Sequence, residues 1–250
     1  QQANLQHSPK KNIENDQICH WQGKPPNPVV AGTGSNSTAT ATQMSKEAAE
    51  AGADGILLVT PYYNKGTQNG LIKHYTTITE EAKVPAILYN VPSRTGLFSG
   101  SLHGCLSCKK CRICNRYQRS IRRYQPCGRY HVCLRRSHWS VFRNDDQIVP
   151  ILSLGGKGVI SVLSNVAPKE THDIVALFLE GKIKESRELQ LKALPLVHAL
   201  FSEVNPIPVK AALNLMGKEV GPLRLPLTEM EAAHQEVLAE EMKKFGIKLA

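Results

Sequence analysis

The chain has 250 residues, enough for one large domain or two small ones and for a substantial buried core. No run approaches the eighteen apolar residues of a membrane-spanning helix, and residues 1–12 lack the apolar centre of an export signal. With 31 Lys and Arg against 21 Asp and Glu, a net charge of +10 and seven cysteines, the composition as a whole suggests a basic protein that binds nucleic acid or metal.

In chain order, VVAGTG at 29–34 reads as a short buried strand ending in glycine. The pattern predicts a helix over 39–51, a strand over 55–60 (GILLVT), a helix over 71–83 and a strand over 85–90 (PAILYN). Apolar strands alternating with amphipathic helices define a parallel sheet or a βα barrel. Residues 98–143 show neither the helical nor the strand period. Beyond them the pattern predicts a strand over 159–163, then helices over 168–180, 182–201, 206–216 and 228–245.

The charge is unevenly distributed. Residues 98–143 hold eleven Lys or Arg and no acid, residues 1–28 add +1, and the other 176 residues carry −2. All seven cysteines lie in these two tracts, four of them as Cys105, Cys108, Cys111 and Cys114 at CxxC spacing. That spacing is compatible with an iron–sulfur ligand run; the two separated pairs usual for zinc are absent.

The remaining segments are GTGSNST at 32–38, GADGILLVTPYYNK at 52–65, ILYNVPSRTG at 87–96, NDDQIVPILSLGGKGVISV at 144–162 and NPIPVKAAL at 205–213. In this order and spacing they resemble the pyruvate-dependent class I aldolase family of dihydrodipicolinate synthase and N-acetylneuraminate lyase, with YNVPSRTG favouring the synthase branch. The resemblance implies an α/β fold, a (β/α)8 TIM barrel with C-terminal helices, incomplete as written: the first two strands are missing and strands 6 and 7 are scrambled. On this expectation residues 1–190 form a partial barrel and residues 191–250 a C-terminal helical region.

The family's imine-forming lysine belongs to an IKEA strand, and no IKEA stands in this sequence. Back-translation of CNRYQRSIRRYQPCG at 114–128, read one base later, permits VIGIKEASGDISHVA. The reading continues to residue 143 as ADIMCACGEATGVYSG, and residues 16–27 similarly yield IKFATGKVNRPI. Both tracts therefore read as frameshifted translations, and the cysteine ladder as alanine codons out of phase. The hidden lysine codon straddles Gln118 and Arg119.

By resemblance the chain condenses pyruvate with aspartate semialdehyde through a lysine Schiff base in lysine biosynthesis. The resemblance implies a cytoplasmic homotetramer with no cofactor, metal, nucleic acid or membrane partner. It makes Tyr89 the proton-relaying phenol and Tyr63 a hydroxyl reaching a neighbouring subunit's site. By the same resemblance Arg94 matches the residue that grips the aldehyde substrate's carboxylate, and Ile160 matches the position whose backbone carbonyl lies near pyruvate. Asn36 and Tyr62 match a lysine-feedback site, although Thr40 replaces the Glu of some feedback-sensitive members. His74, His172, His198 and His234 read as surface or core histidines, and Lys210 does not match the imine lysine. The alternatives are another pyruvate aldolase, a non-functional frameshifted product, or a Cys-rich metal- or nucleic-acid-binding protein.

Overall fold

A computed structural model describes residues 28–97, 116–119, 139–142 and 144–250. The seven cysteines and Trp21 lie outside the described residues. Described residues up to 141 fall in one compact unit and residues 142–250 in another.

The first unit is built on a sheet. Strand β1 (Val30–Gly32) leads to helix α1 (Thr38–Glu50), β2 (Gly55–Val59), α2 (Gln68–Ala82), β3 (Ala86–Asn90) and the single turn α3 (Pro92–Thr95). Strands β4 (Arg116–Arg119) and β5 (Trp139–Phe142) follow, and the sheet order is β1-β2-β3-β4-β5. The pairs β1–β2, β2–β3 and β3–β4 are parallel. Five neighbouring staves in sequence order are the layout of an incomplete (β/α)8 barrel. The basic tract thus supplies two strands where its sequence has no period. A parallel ladder is made of backbone N–H and C=O groups, which every residue except proline offers in full.

Local sequence explains the helices. Ser37, in extended conformation, caps α1 by accepting from the Thr40 N–H, and Thr67 caps α2 by accepting from Gly70. This cap starts α2 at Gln68, three residues before the apolar pattern begins. Ala41, Ser45 and Ala48 make the buried stripe of α1, small enough for the helix to lie close to the sheet. Ile56, Leu58, Ala86 and Leu88 join them in one core cluster with Leu71, Tyr75 and Ile78 of α2. At Gly34 a Cβ would stand 2.4 Å from the Val59 backbone nitrogen, so only glycine permits this approach of the first loop to β2.

The second unit is helical: α4 (Ile148–Ser153), α5 (Pro168–Leu179), α6 (Ile183–Leu200), α7 (Ile207–Leu215) and α8 (Ala232–Phe245), with 3-10 turns at Asp145–Gln147 and Leu163–Asn165. Leu163, Ile174, Leu196, Leu200, Leu238 and Met242 are its largest fully buried apolar side chains. Each contributes about 1.5–3 kcal/mol of apolar transfer free energy. Pro195 sits inside α6, where it leaves the carbonyl of Leu191 without its helical donor; Leu191 is exposed, so water can serve instead.

Two expectations are corrected here. The strand predicted over 159–163 is reduced to one bridging residue, Val159. The N–H groups of Val162 and Leu163 instead donate to Asp145 Oδ2, both at 2.9 Å, and the chain turns into the 3-10 segment. The last helix begins at Ala232 rather than 228, with Glu231 still in extended conformation before it.

Candidate active site

The polar loops of the first unit emerge from the C-terminal ends of successive parallel strands. Asn36 follows β1, Tyr62 and Tyr63 follow β2, and Arg94 follows β3, which itself ends with Tyr89 and Asn90. Asn64 Nδ2 donates to the Asn36 carbonyl at 3.2 Å, tying the first two loops together.

The motif ILYNVPSRTG folds as a strand and one tight turn. Pro92 opens α3, where its missing N–H costs no helical hydrogen bond. Thr95 Oγ1 donates to the Val91 carbonyl at 3.2 Å, and Gly96 closes the turn at φ 65°. Arg94 is left exposed on this turn while Tyr89, five residues earlier, is only 4% exposed. Tyr89 is therefore enclosed in the first unit's interior.

Tyr63 lies at the other extreme. It is 87% exposed and held at φ 70°, a left-handed conformation also adopted by Lys65 at φ 45°. Such conformations cost side-chain-bearing residues about 1–3 kcal/mol each and persist where surrounding structure imposes them. Tyr62 is exposed beside it. Ile160 belongs to the second unit, half-buried next to Val159.

The ladder gives one further position. Tyr89 pairs with Val59 on one side and with Gln118 on the other, and Asn90 pairs with Arg119. Position 118 thus shares the rung of Tyr89.

Sequence reasoning missed two hydroxyls around Tyr89. Thr60 continues from β2, and both its N–H and its Oγ1 donate to the Tyr89 carbonyl, at 2.8 and 3.1 Å. Tyr75 of α2 donates its phenolic proton to Thr60 Oγ1 at 3.2 Å. A polar residue ending the apolar run GILLV is a visible signal for Thr60. Tyr75 merely occupies one place in the apolar stripe of α2.

His74 is a core histidine. Its Nδ1 lies 2.9 Å from Thr38 Oγ1, its ring meets Tyr75 edge-on at 5.2 Å, and Nε2 has no hydrogen-bond partner among the described residues. Burial pushes its pKa from 6.5 down to about 4. Between these values the unfolded chain binds the proton and the folded chain does not, so stability falls as pH drops through that window. The full difference is about 3 kcal/mol. Urea unfolding of the first unit should show this loss between pH 6.5 and 4, and His74→Gln should flatten that component of the pH slope.

Glu203, Glu231 and His234 bring their ligand atoms within 4.8 Å of one another. Glu203 Oε1 accepts from the Glu231 N–H at 3.0 Å and lies 2.8 Å from His234 Nδ1. These contacts place the carboxylate at the start of α8, where the helix dipole favours an anion. This accounts for the cluster as a helix cap. His172 and His198 are exposed.

A parallel sheet sheathed by helices, with its polar loops at the C-terminal strand ends, is the arrangement of barrel enzymes. The profile of the Dihydrodipicolinate synthetase family matches residues 22–99 and 129–245, and the chain belongs to this family. The break at 100–128 falls inside the basic tract, and the match resumes before that tract ends. A 4-hydroxy-tetrahydrodipicolinate synthase from Lachnoclostridium phytofermentans is 56% identical over 223 residues, covering 88% of this chain and 75% of the relative. The dihydrodipicolinate synthase structure from Aquifex aeolicus superposes with a TM-score of 0.95 at 34% identity, covering 98% of this chain and 83% of that one. A chloride-inhibited synthase from Acinetobacter baumannii, complexed with pyruvate, gives a TM-score of 0.92 at 34% identity, covering 97% and 83%. This membership favours a lyase over a Cys-rich metal- or nucleic-acid-binding protein. No helix among the described residues is long and apolar enough to cross a membrane.

Proposed function

We propose that this fold serves the condensation of pyruvate with aspartate semialdehyde, the 4-hydroxy-tetrahydrodipicolinate synthase reaction of lysine biosynthesis. The observation that carries the reading is the rung shared by Tyr89 and position 118. In the chemistry, a neutral lysine amine adds to the C2 carbonyl of pyruvate and water leaves, giving an imine. The imine accepts electrons as the methyl carbon loses a proton, and the resulting enamine attacks the aldehyde carbon. Tyr89 relays these protons, and Arg94 holds the aldehyde substrate's carboxylate with its planar pair of donors.

In the same reading, Tyr63 completes the relay in a neighbouring copy of a cytoplasmic homotetramer, and the Ile160 carbonyl lies near pyruvate. Asn36 and Tyr62 contact feedback lysine. Residues 1–190 supply the barrel and 191–250 the C-terminal helical region. Neither a metal nor an organic cofactor takes part.

Position 118 is Gln rather than Lys, and we read residues 98–143 as the family sequence translated one base out of phase. Borohydride reduction in the presence of pyruvate should leave no adduct on the peptide containing position 118 in the chain as written. A reduced adduct there, detected by mass spectrometry, would overturn this expectation. Sequencing the coding DNA across codons 98–143 tests the frame directly.

A further inference from the structure

The geometry points to Thr60 and Tyr75 as positioning residues that hold the peptide of Tyr89 through a directed chain of two hydroxyls. The inference rests on the reading of Tyr89 as the proton-relaying phenol and adds to it the device that fixes this residue. Thr60 is fully buried and Tyr75 is 2% exposed, so water offers the links little competition.

Direction follows from the acceptors. The Tyr89 carbonyl has no proton to give, so Thr60 Oγ1 must donate to it at 3.1 Å. That commits the only hydroxyl proton of Thr60, and its oxygen accepts the phenolic proton of Tyr75 at 3.2 Å. The Thr60 N–H reaches the same carbonyl at 2.8 Å. One carbonyl is thus gripped twice by a single residue, whose side chain is oriented by helix α2. The polar grip sits at the strand end, just beyond the apolar pairs Leu57–Ile87 and Leu58–Leu88.

Removing the Thr60 hydroxyl takes away one of the two Thr60 donors to the Tyr89 carbonyl. Removing the Tyr75 hydroxyl lets the Thr60 side chain seek another rotamer. Either change loosens the backbone that aims the Tyr89 ring, without touching substrate.

The sequence supplies a local probe, since Tyr-Asn occurs only at 63–64 and 89–90. Labelling tyrosine carbonyl carbons with 13C and asparagine nitrogens with 15N gives one correlated signal for each pair. The exposed Tyr63–Asn64 pair serves as the internal reference. In Thr60→Val the Tyr89 carbonyl signal should move upfield while that of Tyr63 stays in place. Thr60→Ser should return it, and Tyr75→Phe should move it the same way by a smaller amount.

Ser45→Ala is the control for general loosening, because it removes a different buried hydroxyl contact, the 2.8 Å pair with Thr33. It should leave the Tyr89 signal unmoved. An unshifted Tyr89 carbonyl in both Thr60→Val and Tyr75→Phe would overturn the proposal, as would an equal shift in Ser45→Ala. If Thr60→Val fails to fold, Tyr75→Phe and the control decide the matter. The carbonyl shift reads geometry without turnover. A failed clamp is therefore distinguishable from a failed relay, which would show as full activity of Tyr89→Phe in an active synthase of this family.

Discussion

Gln118→Lys is expected to give the chain a pyruvate imine that it does not otherwise form. The register sets position 118 level with Tyr89, and Arg119 level with Asn90. Successive strand residues face opposite sides of a sheet, so a slip of one place removes a group from the site altogether. Arg119→Lys, with the amine one rung away, should therefore trap no pyruvate. Borohydride trapping on the Gln118→Lys chain should exceed the diffuse labelling of surface lysines by about a hundredfold, a modest share of what positioning supplies in oriented reactions. Translating codons 114–143 one base later changes the whole environment as well as the nucleophile, and should trap at least as well. Equal trapping by the two single lysine variants would remove the register argument. No trapping by the frame-restored chain would remove the frame argument with it.

Asp145→Ala should destabilise the second unit by about 3–5 kcal/mol, the range for leaving two buried donors of a charged acceptor unpaired. Asp145 is 1% exposed, and its Oδ2 accepts from both Val162 and Leu163. The Asp145 carbonyl accepts from Gln190 Nε2 at 2.8 Å, while Gln190 Oε1 accepts from the Val149 N–H at 3.4 Å. A single buried carboxylate therefore organises the segment after Ile160, and the buried amide ties its backbone to α6. Alanine supplies no acceptor, and no water reaches the two N–H groups without opening the core. Asp145→Asn retains one acceptor oxygen and should cost less than half as much. Urea unfolding followed by far-UV circular dichroism measures both changes. A loss below 1 kcal/mol for the alanine variant would mean that those N–H groups find other partners.

The same contacts explain where sequence reasoning succeeds and where it stops. The strands β2 and β3 are legible because apolar runs are bounded by Gly55 and Pro85, and α5 because Pro168 marks its first turn. The segment 159–163 carries an equally apolar run but loses its strand to Asp145, some fifteen residues earlier, and no local pattern announces that competition. Thr67 moves the start of α2 through its side-chain cap, which periodicity does not register. At the site, YNVPSRTG displays both Tyr89 and Arg94 in one string. The Thr60–Tyr75 chain is hidden because its members lie on a strand end and a helix that meet only in three dimensions. Position 118 is a third kind of case, silent in residue patterns and visible only in codon arithmetic.

Strand β4 has a consequence for how such a chain fares under selection. Its pairing with β3 uses backbone groups that every residue except proline offers in full, so a stave is encoded redundantly and would survive a change of translation phase. A nucleophilic amine is encoded once, by a single codon in a single frame. Architecture and chemistry therefore decay at different rates when a gene slips by one base. On the reading that residues 98–143 are out of phase, such a protein keeps the outline of an enzyme after its reaction has gone silent, and bringing that tract back into phase at both of its ends would return the missing amine.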